Sequence, residues 1–248
     1  MPPISLEEMD GIRLMNRIDT KYLTDEATLA GILEDACALG YRTLVTGGSR
    51  LSAYDTLYFD TPELRMFLDH HNRRLVRQKV RTRVYVGSGT TFLEIKRKNN
   101  HGRTKKKRME IPGEEFRDFS ADVAACEYLA AKSWFTAPEL SPSLETLFRR
   151  ITLVNPAGTE RITIDSGVEF KNFRTGNEAS LRNGVIIEIK QDGRAASDMK
   201  GILLRRRVKP IRVSKYCIGV TLTAPDVKHN RFKSKVRRIE KQINDKLI

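Results

Sequence analysis

Four short segments of this chain place charged side chains at alternate positions. "RQKVRTRVYV" (77–86) carries Arg77, Lys79, Arg81, Arg83 and Tyr85 in one alternating set. "TFLEIKRK" (91–98) carries Phe92, Glu94, Lys96 and Lys98. "RITID" (161–165) carries Arg161, Thr163 and Asp165, and "GVIIEIKQ" (184–191) carries Glu188 and Lys190. Side chains two apart in an extended chain share a face, so each set reads as one face of a strand. For a single strand the ordinary explanation is a face turned to water. Four such faces, two of them built on Glu-Ile-Lys, point instead to faces that converge. Converging cations suit phosphate: Arg forks match its oxygens in pairs, and Lys adds a point charge. A carboxylate among them has a use if Mg2+ or Mn2+ bridges it to the phosphates. Those hard cations take oxygen ligands and often only one or two carboxylates. Phosphoryl transfer then asks the protein mainly for positioning and charge stabilisation.

The alternate positions of the same segments are largely apolar: Val80 and Val84, Leu93 and Ile95, Ile162 and Ile164, Val185, Ile187 and Ile189. A sheet curled with its charged faces inward must cover this apolar outside with helices. The chain supplies candidates over 25–40, over 61–71 with Thr61 as N-cap and Pro62 in the first turn, and over 121–134. A further one, at about 226–248, is amphipathic, with Val227, Phe232, Val236, Ile239, Ile243 and Leu247 on one stripe. Additional strands are expected near 42–46, 51–59, 105–111, 149–154 and 210–214, with turns at "GSGT" (87–90) and "NNHG" (99–102). The expectation is an α+β fold, an antiparallel β-barrel with a basic lumen and flanking helices, as one domain over 1–248.

The chain has 248 residues and a net charge of +14, a field that concentrates polyanions. A nucleic-acid binder would interleave more aromatics with its cations; here only Tyr85 and Phe92 do so, and no specific nucleic-acid partner is expected. Phosphate-binding glycine loops, a kinase catalytic loop and metal-spaced histidines are missing from the sequence. Cys37, Cys126 and Cys217 are far apart and read as reduced thiols. The first residues lack a signal-like apolar run, and no stretch of about 18 apolar residues could span a membrane. The default location is the cytoplasm.

In order along the chain stand "NRIDTKYLTD" (16–25), "LYFDT" (57–61), "VRTRVY" (80–85), "FLEIKRK" (92–98), "GRTKKKR" (102–108), "ERITID" (160–165), "VIIEIK" (185–190) and "VSKYCIG" (213–219). Together they resemble the VTC domain, the polyphosphate polymerase domain of the vacuolar transporter chaperone complex and its bacterial relatives. The resemblance implies a triphosphate tunnel fold. It also implies transfer of the γ-phosphate of ATP to inorganic polyphosphate, with Mn2+ or Mg2+ as cofactor. By motif it places Lys21, Arg81, Arg83, Lys96, Lys106, Arg150, Arg161 and Lys215 on the phosphates, with Arg108 beside Lys106. Lys98 and Lys190 share those faces, and Arg149 competes with Arg150. Glu188 matches the metal carboxylate, and Glu94 either supports the metal site from behind its direct ligands or is a lesser metal carboxylate. A triphosphate or polyphosphate hydrolase and a non-catalytic polyphosphate- or nucleotide-binding module remain alternatives. Tyr22 and Tyr58 are candidates for stacking on adenine, with core packing the stronger reading. The E-x-E-x-K motif of the cyclase and thiamine-triphosphatase branch of tunnel enzymes is missing, which weighs against those activities.

Overall fold

A computed structural model describes residues 1–12, 14, 17–193 and 195–247. Asn16, which opens the first motif above, and Ile248, which ends the expected C-terminal helix, lie outside the described residues. The strands are β1 (Pro3–Ile4), β2 (Ile18–Asp25), β3 (Arg42–Leu44), β4 (Ser52–Asp60), β5 (Arg77–Tyr85), β6 (Thr90–Lys98) and β7 (Thr104–Ile111). They continue with β8 (Ser141–Val154), β9 (Glu160–Asn172), β10 (Glu178–Ser180) and β11 (Gly184–Gln191). The helices are α1 (Leu6–Gly11), α2 (Glu26–Ala38), α3 (Arg65–His71), α4 (Val123–Lys132), α5 (Asp198–Arg205), α6 (Lys215–Thr223) and α7 (Asn230–Ile243).

The main path of the sheet runs β2-β11-β9-β8-β4-β5-β6-β7, and every pairing along it is antiparallel. Short β1 and β3 form a parallel pair attached to β8. The sheet curls, as the inward-facing charges require. Lys96 on β6 and Glu188 on β11 stand far apart in strand order, yet each shifts the other's ionisation. The expected barrel does not close by hydrogen bonds among the described residues: β2 and β7 end the path unpaired with each other. Part of the β2 edge is covered by the segment expected to be a strand at 210–214. Pro210 bridges Tyr22, and the Ile211 N–H donates to the Lys21 carbonyl at 2.8 Å. That segment then turns into α6.

The outside apolar faces are buried as expected. Helices α2 and α5 cover Ile162, Ile164, Val185, Ile187 and Ile189, and α4 covers Val80, Leu93 and Ile95. A third cluster lies on the inner side. There α6 packs with Leu144, Phe148, Val168, Phe170 and Ile186, and so fills one end of the curled sheet. Its Gly219 lies so close to β8 and β9 that an added Cβ would stand 2.4 Å from Leu144 Cδ2. The β8–β9 register shifts between Leu147 and Arg149, where Gly167 takes a left-handed φ of 56°. The shift lets one strand do two jobs. Val168 and Phe170 face the plug helix, while Arg161, Thr163 and Asp165 share the charged inner face.

The helix expected over 61–71 starts later, at Arg65. Thr61 Oγ1 still accepts from the Arg65 N–H, but the stronger cap is buried Asp60. Its carboxylate accepts from the N–H groups of Met66 and Phe67 at 2.9 Å. The other expected helices form over slightly shorter spans, α7 beginning at Asn230.

A candidate phosphate site in the cationic lumen

On β5 and β6 the inner residues pair across the ladder, Arg81 with Glu94 and Lys79 with Lys96. On β6 and β7, Lys96 pairs with Lys106 and Glu94 with Arg108. At the centre Arg81 Nε donates to Glu94 Oε2 at 2.7 Å, and Lys106 Nζ donates to Glu94 Oε1 at 3.0 Å. Glu94 is fully buried. Burial would raise its pKa, but Arg81, Arg83 and Lys106 hold it well below the carboxylate range. Arg81 Nη1 also donates to the Tyr58 hydroxyl at 3.1 Å. Arg83 donates from Nε to Thr56 Oγ1 at 3.0 Å and has no ion pair among the described residues. Burial and neighbouring Arg81 lower it to about 10. Lys79 donates to Ser214 Oγ at 2.6 Å. Lys96 has no hydrogen bond or ion pair among the described residues, and Arg81 and burial push its ammonium well down.

The facing wall comes from β2, β8, β9 and β11. Glu188 lies between Lys21, at 3.6 Å, and Lys190, at 3.7 Å. Burial works against its charge, but Lys21, Lys190, Lys96 and Arg150 bring its pKa down to about 2. Across the ladder from Glu188 stands Thr163, whose buried Oγ1 has no partner among the described residues. Asp165 accepts from Arg150 at 2.6 and 2.8 Å and from Lys215, which reaches it from the first turn of α6. Burial lowers Lys215 to about 7 against the pull of Asp165, and Lys190 to about 8 against the pull of Glu188.

An aromatic belt runs along the lumen wall at one level. Phe148 on β8 stacks on Tyr54 at 5.3 Å; Tyr54 meets Tyr85 at 5.0 Å, and Tyr85 meets Phe92 at 5.8 Å. Cations lie over it. Arg83 and Arg150 stand 5.4 and 5.0 Å from the Tyr54 ring, and Lys215 stands 3.4 Å from that of Phe148. Arg108 lies 4.5 Å over Phe92. For Arg83 and Arg108, resting a guanidinium on a ring face holds it in place without spending its charge on a carboxylate, whereas Arg150 is also bonded to Asp165.

The structure therefore gathers Lys21, Arg81, Arg83, Lys96, Lys106, Arg150, Glu188, Lys190 and Lys215 around one space. Arg150 is the inward one of its pair: Arg149 is exposed and lies beside Gly167 on the outer face. Within "KKK" all three lysines are exposed, and Lys106 is the one whose ammonium reaches inward to Glu94. Three expected residues sit apart from the centre. Lys98 lies toward the end of β6 near Arg77 and Arg212. Arg108 is exposed against Phe92. Arg161 pairs with Lys190 in register, but its guanidinium donates to the Met9 carbonyl at 2.6 Å, so it also anchors the end of α1. Lys79 and Asp165 belong to the site although the family motifs did not single them out. Both were visible in the alternation, Lys79 between Arg77 and Arg81 and Asp165 two residues after Thr163. Tyr22 and Tyr58, the adenine candidates, are buried, Tyr58 stacked on Tyr216 at 5.0 Å.

One arrangement had no sequence signal. Cys217 Sγ lies 3.1 Å from His70 Nδ1. Burial pushes the thiol up and the imidazole down to about 2, so the pair stays neutral and acts as packing rather than as a nucleophile.

The donor set fits a hard divalent cation in one place. No group of three His, Cys, Asp or Glu among the described residues could hold a metal. Glu94 and Asp165 already accept from cations, which leaves Glu188, with the unpartnered Thr163 hydroxyl beside it, as the carboxylate open to Mg2+ or Mn2+. A cation held this way takes its remaining oxygens from phosphate and water.

The VTC domain family model matches residues 16–224. Among solved structures, a candidate adenylate cyclase from Bacillus halodurans superposes with a TM-score of 0.52 at 12% identity, covering 88% of this chain and 100% of that one. The candidate adenylyl cyclase HpAC1 from Hippeastrum, described with a dominant triphosphatase activity, superposes with a TM-score of 0.50 at 14% identity. It covers 86% of this chain and 99% of that one. At these identities the likeness is one of fold. No curated protein matches the chain. Among the described residues, no helix is long and apolar enough to cross a membrane.

Proposed function

Since this chain belongs to the VTC domain family, we propose that it is a metal-dependent polyphosphate polymerase. It would move the γ-phosphate of ATP onto a polyphosphate chain held in the lumen. The observation that carries this reading is the charge imbalance of the site. Glu94, Asp165 and Glu188 face a much larger set of cations, and among the described residues Arg83 and Lys96 make no direct ion pair with any of them. A phosphate chain supplies the missing counter-charge and relieves the repulsion that depresses Lys96.

In this reading Arg81, Arg83, Lys96 and Lys106 grip the transferred phosphoryl group from one wall. Lys21, Arg150, Lys190 and Lys215 hold the acceptor chain from the other. A divalent cation at Glu188, when bound, supplies Lewis acidity and charge neutralisation at phosphate oxygens. The character of the lumen carboxylates supports transfer to phosphate, because they offer an attacking water little basicity. All three are ion-paired and strongly acidic, hence weak bases, and His70 is buried against Cys217. A phosphate oxyanion needs no base to attack, whereas water benefits from one.

Incubation with ATP and Mn2+, with and without a short polyphosphate primer, should give a ladder of chains on a gel, lost in Glu188→Gln. Release of free phosphate without chains would assign a hydrolase. Tight polyphosphate binding with no turnover would leave a binding module.

A further inference from the structure

The belt of rings on the lumen wall is unequal along its length. Tyr54 and Phe148 are buried, and Arg83, Arg150 and Lys215 lie over them. Tyr85 and Phe92, at the other end, are half-exposed. Phe92 is an anomaly on its face: the inner positions that follow it on β6 are Glu94, Lys96 and Lys98. Across the ladder it faces Arg83 on one side and Glu110 on the other. It stands one inward position, roughly 7 Å along the strand, from Glu94 and its partner Arg81, and level with Arg83 at the edge of the gripping row. The exposed Arg108 guanidinium lies on its ring at 4.5 Å, and the Tyr85 ring meets it edge-on at an interplanar angle of 82°.

A half-exposed ring beside a strongly cationic lumen has no counterpart in a phosphate chain, which has no apolar surface. It has one in a nucleoside triphosphate. The phosphates of such a molecule are drawn to Arg81, Lys96 and Lys106, so its uncharged base lies beyond them, at the level of Arg83 and Phe92. Bases stack on aromatic faces and on guanidinium planes. We propose that Phe92, walled by Tyr85 and lidded by Arg108, is the seat of the nucleobase of the phosphoryl donor. This rests on the reading that the donor is a nucleoside triphosphate, and it gives the two ends of the lumen different tasks. The ring end admits the nucleotide, and the bare cationic remainder takes the base-free chain. Arg108, expected from the family motif to contact phosphate, is thereby assigned to the base. A ring face accepts any flat base, so the seat orients the nucleotide without choosing among bases by hydrogen bonding.

The test compares ATP with tripolyphosphate, which has the charge but no base, by calorimetric titration of the full chain. In Phe92→Leu the dissociation constant of ATP should rise about tenfold, the scale of one lost base–aromatic stack. That of tripolyphosphate should stay within about twofold, since a neutral side chain two positions from Glu94 leaves the cations in place. Phe92→Tyr should restore ATP binding. A parallel loss of both ligands, or an unchanged ATP affinity, would overturn the proposal. Should Phe92→Leu fail to fold, saturation-transfer NMR on the wild-type protein decides. The base protons of ATP should receive more saturation than the ribose protons, and the reverse order removes the base from the rings. A wild-type protein that binds neither ligand would sink the functional reading itself. Tripolyphosphate binding with no response to Phe92 would sink the base seat alone.

Discussion

At the scale of single residues, the site depends on which charges are answered and which are left open. Glu94 is fully answered, by Arg81 and Lys106, and it ties three strands, β5, β6 and β7, together in the lumen. Glu94→Gln leaves Arg81 buried without its counter-charge. Breaking a buried pair from one side costs about 3–5 kcal/mol, and urea unfolding should report a loss of that order with the slope unchanged. A loss below about 1 kcal/mol would mean that water or Tyr58 takes over the guanidinium. The residue types were legible in the sequence because alternation exposes them two by two. What was not legible was how each is used. Arg149 and Arg150 are neighbours in sequence, and only the strand's face assignment separates them. Arg161 keeps the right face yet spends its guanidinium on a carbonyl of α1, a long-range contact that no local pattern encodes.

At the scale of elements, α6 decides the shape of the lumen. "KYCIGVTLT" is rich in β-branched and aromatic residues, and its propensity leans toward strand. It is helical because Ser214 caps it and because its whole surface is buried between sheet and α7. That is tertiary context overriding propensity, and it is why the sequence showed a motif there but no helix. The same helix brings Lys215 to Asp165 and Ser214 to Lys79. Gly219 permits the close approach. Gly219→Ala must displace Leu144 or Phe170, and overpacking of this kind costs about 1–3 kcal/mol. Thermal unfolding should show a clear drop in Tm, with weaker phosphate binding as Lys215 shifts. A neutral Gly219→Ala would mean that α6 has room to move. The strands that carry charged alternation, by contrast, were readable from it, whereas β1, β2 with its Lys21, and β10 were not expected, and 210–214 forms no strand. Only β8 and β9 run longer than expected, carried past the charged stretch by the shift at Gly167.

At the scale of the whole molecule, the sheet concentrates like charges, and folding must bear that cost until a ligand arrives. Lysines held below the ordinary lysine value shape the pH dependence: Lys215 lies near 7 and Lys190 near 8, and Lys96 is pushed down in the same direction. The unfolded chain therefore holds more protons than the empty folded one between about pH 7 and 10. Stability of the empty protein should rise across that window, with the contribution fully present above the unfolded value and lost as pH falls toward 7. Phosphate binds the protonated lysines, so affinity should run the other way. Tripolyphosphate should bind at least about tenfold more weakly at pH 9 than at pH 7, with net proton uptake at the higher pH. A flat affinity profile would mean that none of these lysines faces the ligand.

The central claim is that alternate residues of the basic tract converge on phosphate, rather than forming a diffuse cationic surface. The most direct measurement is the polyphosphate affinity of three single variants at about 0.15 M salt, where distant charges are screened beyond about 8 Å. All three lysines are exposed, but Lys106 reaches to Glu94 in the lumen, while its strand neighbours Lys105 and Lys107 lie on the opposite face. Lys106→Ala should weaken binding about tenfold or more, the scale of one charge-assisted contact, and Lys105→Ala and Lys107→Ala should each stay within about twofold. Equal losses at all three positions would contradict the lumen and return the tract to a nonspecific patch.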